Sequence, residues 1–457
     1  MKKIVAMLLT AVLIGVMLAG CGKSAGTTED KGTDTQVSTA DTDKNADTAE
    51  TSSGEKVELT MAWWGNQVRN DRTNTVLEMY MDQNPNVSIE GQFSEWSNYW
   101  TKLSTASAGD SLPDIIQHDY SMLSQYVDSD LLVDLSPYIE SGVLDVSGID
   151  EGLMQTGTFG SGVYAIPWTV NAPAMLYNKT MLDELGIEVH DNMNIDEFFD
   201  ISKKVYEANG TKTHMGYLGG VTYIQYIMRG LGVEIFDGDK IGGTAEELSY
   251  YYKLHEDGLK EGWECDPSIF AERTIGSNEQ VPLVYGSTPD ARSWCVWGYS
   301  NQLTAMGRLS EEEGWEINIT SIPSPDPVKS NYLKPSMFLS VSSDTKNPEE
   351  AVKVLNYLMN DVPCNEVLLC ERGAPAVASV SQAIIPKLEP LDVLAIDYIK
   401  NVVSENCSQI SPPNPAKADE ATKLMDLLDE KVCYGEITAE EAGAQLLEEG
   451  TKILAGK

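Results

Sequence analysis

From Val57 onward the apolar positions change rhythm repeatedly. Val57-Glu58-Leu59-Thr60-Met61-Ala62-Trp63-Trp64 alternates, the period-two pattern of a strand with one buried face. Over 72–84 the apolar residues Val76, Leu77, Met79 and Tyr80 recur at helical spacing, and Asn84-Pro85-Asn86 stops the helix. A second strand is predicted over 87–93 and a second helix over 99–108, closed by Gly109-Asp110. Leu112-Pro113-Asp114-Ile115-Ile116-Gln117 opens a third strand. Strands alternating with helices at this spacing predict an α/β chain with parallel βαβ units in a doubly wound sheet. Ligands collect at the carboxyl ends of such strands. That rule singles out Trp63, Trp64 and Gly65 after the first strand, and His118, Asp119 and Tyr120 after the third.

Farther along, 171–318 mixes helical stretches such as 195–208 with glycine-rich turns. Asp237-Gly238-Asp239 predicts a hairpin turn; it lacks the spaced carboxylates and terminal Glu of a calcium loop. Ile322-Pro323-Ser324-Pro325-Asp326-Pro327 breaks the chain, and Leu339-Ser340-Val341 reads as a strand. Asn347-Pro348-Glu349-Glu350-Ala351 opens a helix to about 359, with Asn347 as its cap and Pro348 in its first turn. A last amphipathic helix covers 439–454, and no internal repeat is present.

The N-terminal region has a different character. Residues 22–56 hold Val37 as their only large aliphatic side chain, too little apolar surface to offset chain entropy, so a disordered tether is expected. Ahead of it stand Lys2, Lys3 and an apolar run over 4–18, shorter than the roughly 20 residues a membrane span needs. Leu18-Ala19-Gly20-Cys21 then matches a lipobox at each position, so 1–21 resembles a bacterial lipoprotein signal peptide and Cys21 the lipidated first residue of the mature chain.

Composition narrows the possibilities. The chain has 457 residues, enough for two or three domains, and its 42% hydrophobic content can fill full cores. A net charge of -38, from 32 basic against 70 acidic residues, repels nucleic-acid phosphates and anionic lipid headgroups, so contact with a membrane is expected through the lipid anchor only. The aromatic set is 20 Tyr and 9 Trp against 7 Phe, a balance toward rings that carry a polar handle and suit wet surfaces. Cys265, Cys295, Cys364, Cys370, Cys407 and Cys433 form no C-x-x-C pair and have no His at zinc spacing. Neither a metal nor a cofactor is expected, and no disulfide pairing follows from the spacing.

Six fragments carry a resemblance: Trp63-Trp64-Gly65-Asn66, Leu112-Pro113-Asp114-Ile115-Ile116, Tyr164-Ala165-Ile166-Pro167-Trp168, Met175-Leu176-Tyr177-Asn178-Lys179, Asn347-Pro348-Glu349-Glu350-Ala351 and Arg372-Gly373-Ala374-Pro375. In order and spacing they resemble family 1 of the extracellular solute-binding proteins of ABC importers, the sugar-binding group that includes maltose-binding proteins. The resemblance covers about 59–454. It implies a two-lobed periplasmic-binding-protein-like fold of type II, with hinge-linked doubly wound sheets. The first crossing would fall in 166–174 and the second near Ile322. One lobe would hold 57–170 plus 322–375, the other 171–321 plus 376–457. A monomer would capture a sugar or oligosaccharide in the interlobe cleft, close around it, and deliver it to membrane permease subunits.

Sugar faces stack on aromatic rings, while their hydroxyls pair with carboxylates, amides and guanidinium groups. Trp63 and Trp64 point to opposite faces of a strand, and Trp64 is the better cleft candidate. Trp168 lies at the presumed hinge, where family members often place a ligand-facing aromatic, and Tyr223 follows the Gly219-Gly220 turn. Within 285–297 the resemblance implies a ligand-facing strand and turn, which here offer Ser287, Asp290, Arg292, Trp294 and Trp297. Asn66, Asp119, Tyr120 and Arg372 complete the set, although Arg372 could equally clamp its own turn.

Two rival readings remain open. A surface glycoside hydrolase would need a placed carboxylate pair, which 70 acidic residues do not by themselves demonstrate. No G-x-S-x-G elbow, H-E-x-x-H or phosphate loop is present, and His118, His190, His214 and His255 are scattered. A polyamine or peptide receptor could also use acids with aromatics, whereas an anion would need more cationic groups than these candidates offer.

Overall fold

The computed structural model describes residues 56–456, apart from 217–218, 272, 274–276, 278–279, 289–290 and 416. The expected signal peptide with Cys21, and the tether up to 55, lie outside the described residues.

Strand β1 (Val57–Trp64) is the backbone of the first lobe. It pairs in parallel with β2 (Val87–Ser94) and β3 (Ile115–His118). The strand Lys334–Val341 runs antiparallel between β3 and Ile166–Asn171, and Ala374–Pro375 adds an edge. The alternation in sequence becomes two separate faces. Leu59, Met61 and Trp63 enter the main core, while Ala62 and Trp64 enter a second cluster on the other side with Ile116 and Phe338.

Helix α1 (Gln67–Gln83) begins five residues before the predicted start at 72, because Asn66 accepts the Arg69 N–H at 2.9 Å and caps it. Its first turn carries no core residue except Asn70, so apolar periodicity could not reveal it. Helix α2 (Trp96–Ser107) likewise begins ahead of 99, and α3 (Tyr120–Asp128) follows β3 directly.

The chain leaves this sheet between Asn171 and Pro173 and returns between Thr320 and Lys334. Its second sheet has three strands, Cys295–Tyr299, Pro173–Asn178 and Ile317–Thr320, with Pro173–Asn178 in the middle and antiparallel to both. This lobe is therefore mostly helical. Phe198, Ile224, Tyr252, Trp263, Trp294, Trp297 and Leu428 fill its core from helices and strand alike. Past residue 375, the helix Ala378–Ile384 still packs with Val362–Leu368 on the first lobe, burying Val380 and Ile384. The helix Pro390–Tyr398 packs instead against Leu303–Glu313 and Ile317–Thr320. The third passage thus falls after Ile384, later than the boundary at 375, because Val380 and Ile384 find their apolar neighbours on the first lobe.

Smaller features also differ from expectation. Asn347 stands at the cap of Pro348–Asn360 but makes no side-chain cap bond. The final helix is interrupted by a π-helical turn, Leu446–Gly450. The hairpin Phe236–Asp237/Lys240–Ile241 turns through Gly238 at φ +65°, a left-handed conformation that glycine adopts without strain. All six cysteines in the described region are free thiols.

Asp114 ties three segments of the first lobe together. Its carboxylate accepts the Thr60 N–H (2.8 Å), the Thr60 hydroxyl (2.9 Å) and the Thr345 hydroxyl (2.5 Å). Replacing it with Ala should lower the unfolding free energy by about 2–3 kcal/mol in urea titrations, with Asp114→Asn costing less, since charge-assisted bonds to a carboxylate exceed neutral ones.

Candidate ligand-binding cleft

The carboxyl ends of β1 and β2 hold a group of aromatic rings. Trp64, 8% exposed, meets Trp96 edge-on at 4.9 Å and Tyr99 at 5.3 Å, with Trp100 at 5.7 Å. Trp96 occupies the first turn of α2 and is 44% exposed, so this group has a ring open to solvent. Trp100 lies one turn farther along α2 and contacts Trp96 edge-on at 5.4 Å. Sequence reading passed over both. The rule that selects residues after a parallel strand would have reached Trp96, two positions beyond β2.

Trp63 faces the other way. It is fully buried, donates its indole N–H to Asn70 Oδ1 at 2.9 Å, and belongs to the core. Asn66 is exposed at the strand edge, where it caps α1 and donates to Glu371 at 3.3 Å. Asp119 caps α3, accepting the Ser121 N–H at 2.9 Å and the Ser121 hydroxyl at 2.6 Å. Tyr120 stacks on Phe338, and its hydroxyl lies 3.4 Å from the Ser411 carbonyl. Ser411 belongs to a stretch fastened to the second lobe: Arg229 donates to the Ser408 and Ser411 hydroxyls and to the Gln409 carbonyl. Tyr120 is therefore a point where the two lobes meet. Burial pushes its phenol up to about 12, so it remains a neutral donor.

Several candidates are held inside a lobe. Arg372 is buried, with its guanidinium 4.4 Å above the Trp168 ring and bonded to Gln117 Oε1 and Thr73 Oγ1 at 2.8 Å each. Desolvation pushes its pKa well down, and the geometry is that of an internal clamp. Trp168 beneath it is buried as well. Trp294 donates to Thr213 Oγ1 at 2.8 Å from a fully buried position, and Trp297 is 2% exposed. Tyr223 donates to the Trp297 carbonyl at 2.7 Å, with its ring beneath Gly219, where a Cβ would approach to 2.3 Å. Arg292 forms a bidentate pair with Glu313 at 2.7 and 3.1 Å. Ser287 is exposed, and Asp290 lies outside the described residues.

Where the two crossings run side by side, a polar group forms that sequence reading did not select. Asn171 donates to Ser336 Oγ, and Lys334 pairs with Asn171 in the sheet. The Lys334 ammonium sits 5.6 Å above the Tyr299 ring, and the Tyr299 and Tyr332 hydroxyls are 3.1 Å apart. Exposed and edge-on aromatics on one lobe, with hydroxyl, amide and ammonium groups at the crossings, can stack a flat apolar face and hydrogen-bond polar substituents.

A family model described as bacterial extracellular solute-binding protein matches residues 70–362. The chain belongs to that family. The structure of an extracellular solute-binding protein family 1 member from Alicyclobacillus acidocaldarius superposes on this solute-binding protein with a TM-score of 0.76 at 24% identity, covering 88% of this chain and 99% of that one. A periplasmic oligogalacturonide binding protein from Yersinia enterocolitica, in complex with saturated digalacturonic acid, gives 0.68 at 20% identity and covers 88% and 99%. The diacetylchitobiose binding protein of Streptomyces coelicolor is 28% identical over 156 residues, which is 33% of this chain and 35% of that protein. Solute-binding proteins of this family take small-molecule ligands and work with ABC permeases. Among the described residues no helix is long and apolar enough to cross a membrane.

His118, at the end of β3, offers a test of this edge by pH. Burial holds its imidazole at about 3, well below the usual value near 6.5. Between those values the unfolded chain binds a proton that the folded chain refuses, so stability rises with pH across that window. This contribution is complete above about pH 6.5 and is lost as pH falls toward 3. Urea titrations at pH 4, 5 and 7 should show a shallower acid decline for His118→Gln, by up to about 1.4 kcal/mol per pH unit.

Proposed function

We propose that this solute-binding protein captures a sugar or oligosaccharide between its lobes and delivers it to an ABC permease, without chemically altering it. The observation that carries the reading is Trp96, a ring left 44% exposed beside Trp64 and Trp100 at the strand edge where α/β folds collect ligands. An exposed indole braced edge-on by two others is a rigid stacking surface for the C–H face of a pyranose. Trp64 and Tyr120 would flank the ligand, with Asn171, Ser336, Lys334 and Tyr299 meeting it at the crossings. Neighbours that bind digalacturonic acid and diacetylchitobiose support a saccharide.

The remaining candidates take supporting places in this reading. Asn66, Asp119 and Arg372 shape the edge of the first lobe, while Tyr223, Trp294 and Trp297 form the second lobe's wall. Closure follows when a ligand contacts both lobes at once. The protein acts as a monomer held to the extracytoplasmic face of the cell membrane by lipid on Cys21. Detergent phase partition tests that anchor: the intact chain should enter the detergent phase and Cys21→Ala should remain aqueous.

A thermal-shift screen against neutral and acidic oligosaccharides tests the main claim, because a ligand bound only by the folded state raises the melting temperature. Trp96→Ala should weaken the responding saccharide at least about tenfold by calorimetry, equivalent to ~1.4 kcal/mol, while leaving the melting temperature of the free protein nearly unchanged. The reading fails if polyamines or peptides shift the melting temperature and no saccharide does. Steady cleavage of the bound saccharide would favour a hydrolase instead.

A further inference from the structure

We infer that Arg229 is a positioning residue for capture: it fixes on the second lobe the strap that meets Tyr120 of the first, and so biases how far the free protein opens. This rests on capture between the lobes and adds the residue that tunes closure. Residues 407–415 form no helix or strand. Three of them, Pro412, Pro413 and Pro415, have no backbone N–H to donate. Such a stretch keeps its place only through bonds made with other segments.

Its start is held from the returning passage. Asn331, fully buried there, accepts the Ser408 N–H at 3.0 Å and donates to the Asn406 carbonyl at 3.2 Å. The Ser408 hydroxyl donates to the Lys329 carbonyl at 2.7 Å. Farther along, the hydrogen bonds of Gln409 and Ser411 to the second lobe come, among the described residues, from Arg229 on the helix Val221–Gly230. Its guanidinium donates to the Gln409 carbonyl and the Ser411 hydroxyl at 2.8 Å each, and to the Ser408 hydroxyl at 2.5 Å. The same group donates from Nε to the Ser330 carbonyl at 3.2 Å and lies 5.0 Å from the Tyr332 ring. One planar fork, 5% exposed, thus joins the strap to the returning passage. A lysine ammonium donates from a single point and cannot reach this whole set.

Ser411 is where the strap meets the first lobe. Its carbonyl accepts the Tyr120 hydroxyl at 3.4 Å while its own hydroxyl accepts from Arg229. Tyr120 opens α3 directly after β3 and stacks on Phe338, so its end of the contact is anchored in the sheet. The other end is anchored through Arg229 in a helix. A single long hydrogen bond shifts a two-state balance without locking it, which leaves the lobes free to part. Without the arginine the strap yields instead of the lobes, and the contact no longer restrains opening.

The test needs no ligand. Cys407, half-buried in the strap beside Ser408, reports on its mobility, and Cys370 on the first lobe serves as the control. The full chain is treated with a thiol reagent and both cysteines are followed by peptide mass spectrometry. Opening of the free protein is read as the radius of gyration in small-angle scattering. Arg229→Lys should speed modification of Cys407 at least about tenfold, as local release of the strap requires, and leave Cys370 unchanged. It should also raise the radius of gyration. Tyr120→Phe should raise the radius equally without exposing Cys407, and the double variant should open no further than either single one. Ser411→Ala, which removes one acceptor and leaves the carbonyl, should move both readouts in the direction of Arg229→Lys and decides the matter if that variant does not fold. Faster modification of Cys407 with an unchanged radius would show that Arg229 only braces a loop and would overturn the inference. So would an unchanged radius in Tyr120→Phe, or additive opening in the double variant. None of these outcomes bears on which solute is bound, so the saccharide reading stands or falls separately.

Discussion

Two backbone passages lying side by side organise this molecule. Ile166–Asn171 and Lys334–Val341 are antiparallel neighbours in the first sheet; the first continues into the second sheet through Ala172 alone, and the second is reached from it through 321–333, which include the short helix Pro327–Ser330. Val170, Ala172, Ala174 and Leu176 along the first passage belong to one apolar cluster, so the crossing is packed rather than a loose tether. Side-by-side strands can bend together while keeping their register, but they resist sliding or twisting apart. Such a connection permits one lobe to swing toward the other along a limited path, which a capture mechanism requires.

Around that junction the lobes are built differently. The first uses a mixed sheet whose parallel strands β1, β2 and β3 end at one edge, and the aromatic group lies along that edge. The second has three short antiparallel strands and depends on helices for its core. Its tryptophans consequently serve packing: Trp294 and Trp297 are enclosed between the strand and Phe198, whereas Trp96 stands at a strand edge with 44% of its surface exposed. The same residue type does opposite work because one lobe presents strand ends and the other presents helix-covered faces.

Buried charge follows a similar division. Arg229 and Arg372 are each enclosed with several neutral hydrogen-bond partners and an aromatic face. Each holds a turn or strap that ordinary loop chemistry would leave loose. A guanidinium suits this because its planar fork donates to several acceptors at once while its face lies on a ring. Lys334, a point charge on a flexible stem, cannot brace a loop in that way.

Much of the architecture was legible in the residues themselves. Period-two alternation placed β1 and β2, the opening of β3 was read from its apolar run, and the Pro-rich break at 322–327 marked the return passage. Six fragments in order implied the family before any coordinates. Helix starts were less visible, since Asn66 and the first turn of α1 are polar and caps leave no apolar period. For the cleft, the strand-edge rule reached Trp64 and Tyr120 and stopped short of Trp96. What the linear order decided is which strands exist and which edge collects ligand, because alternation and turn chemistry act between near neighbours. What only the tertiary structure decided is which tryptophans are walled in and which side chains meet at the crossings, because burial and contact depend on residues more than a hundred positions away, as with Lys334 beside Asn171.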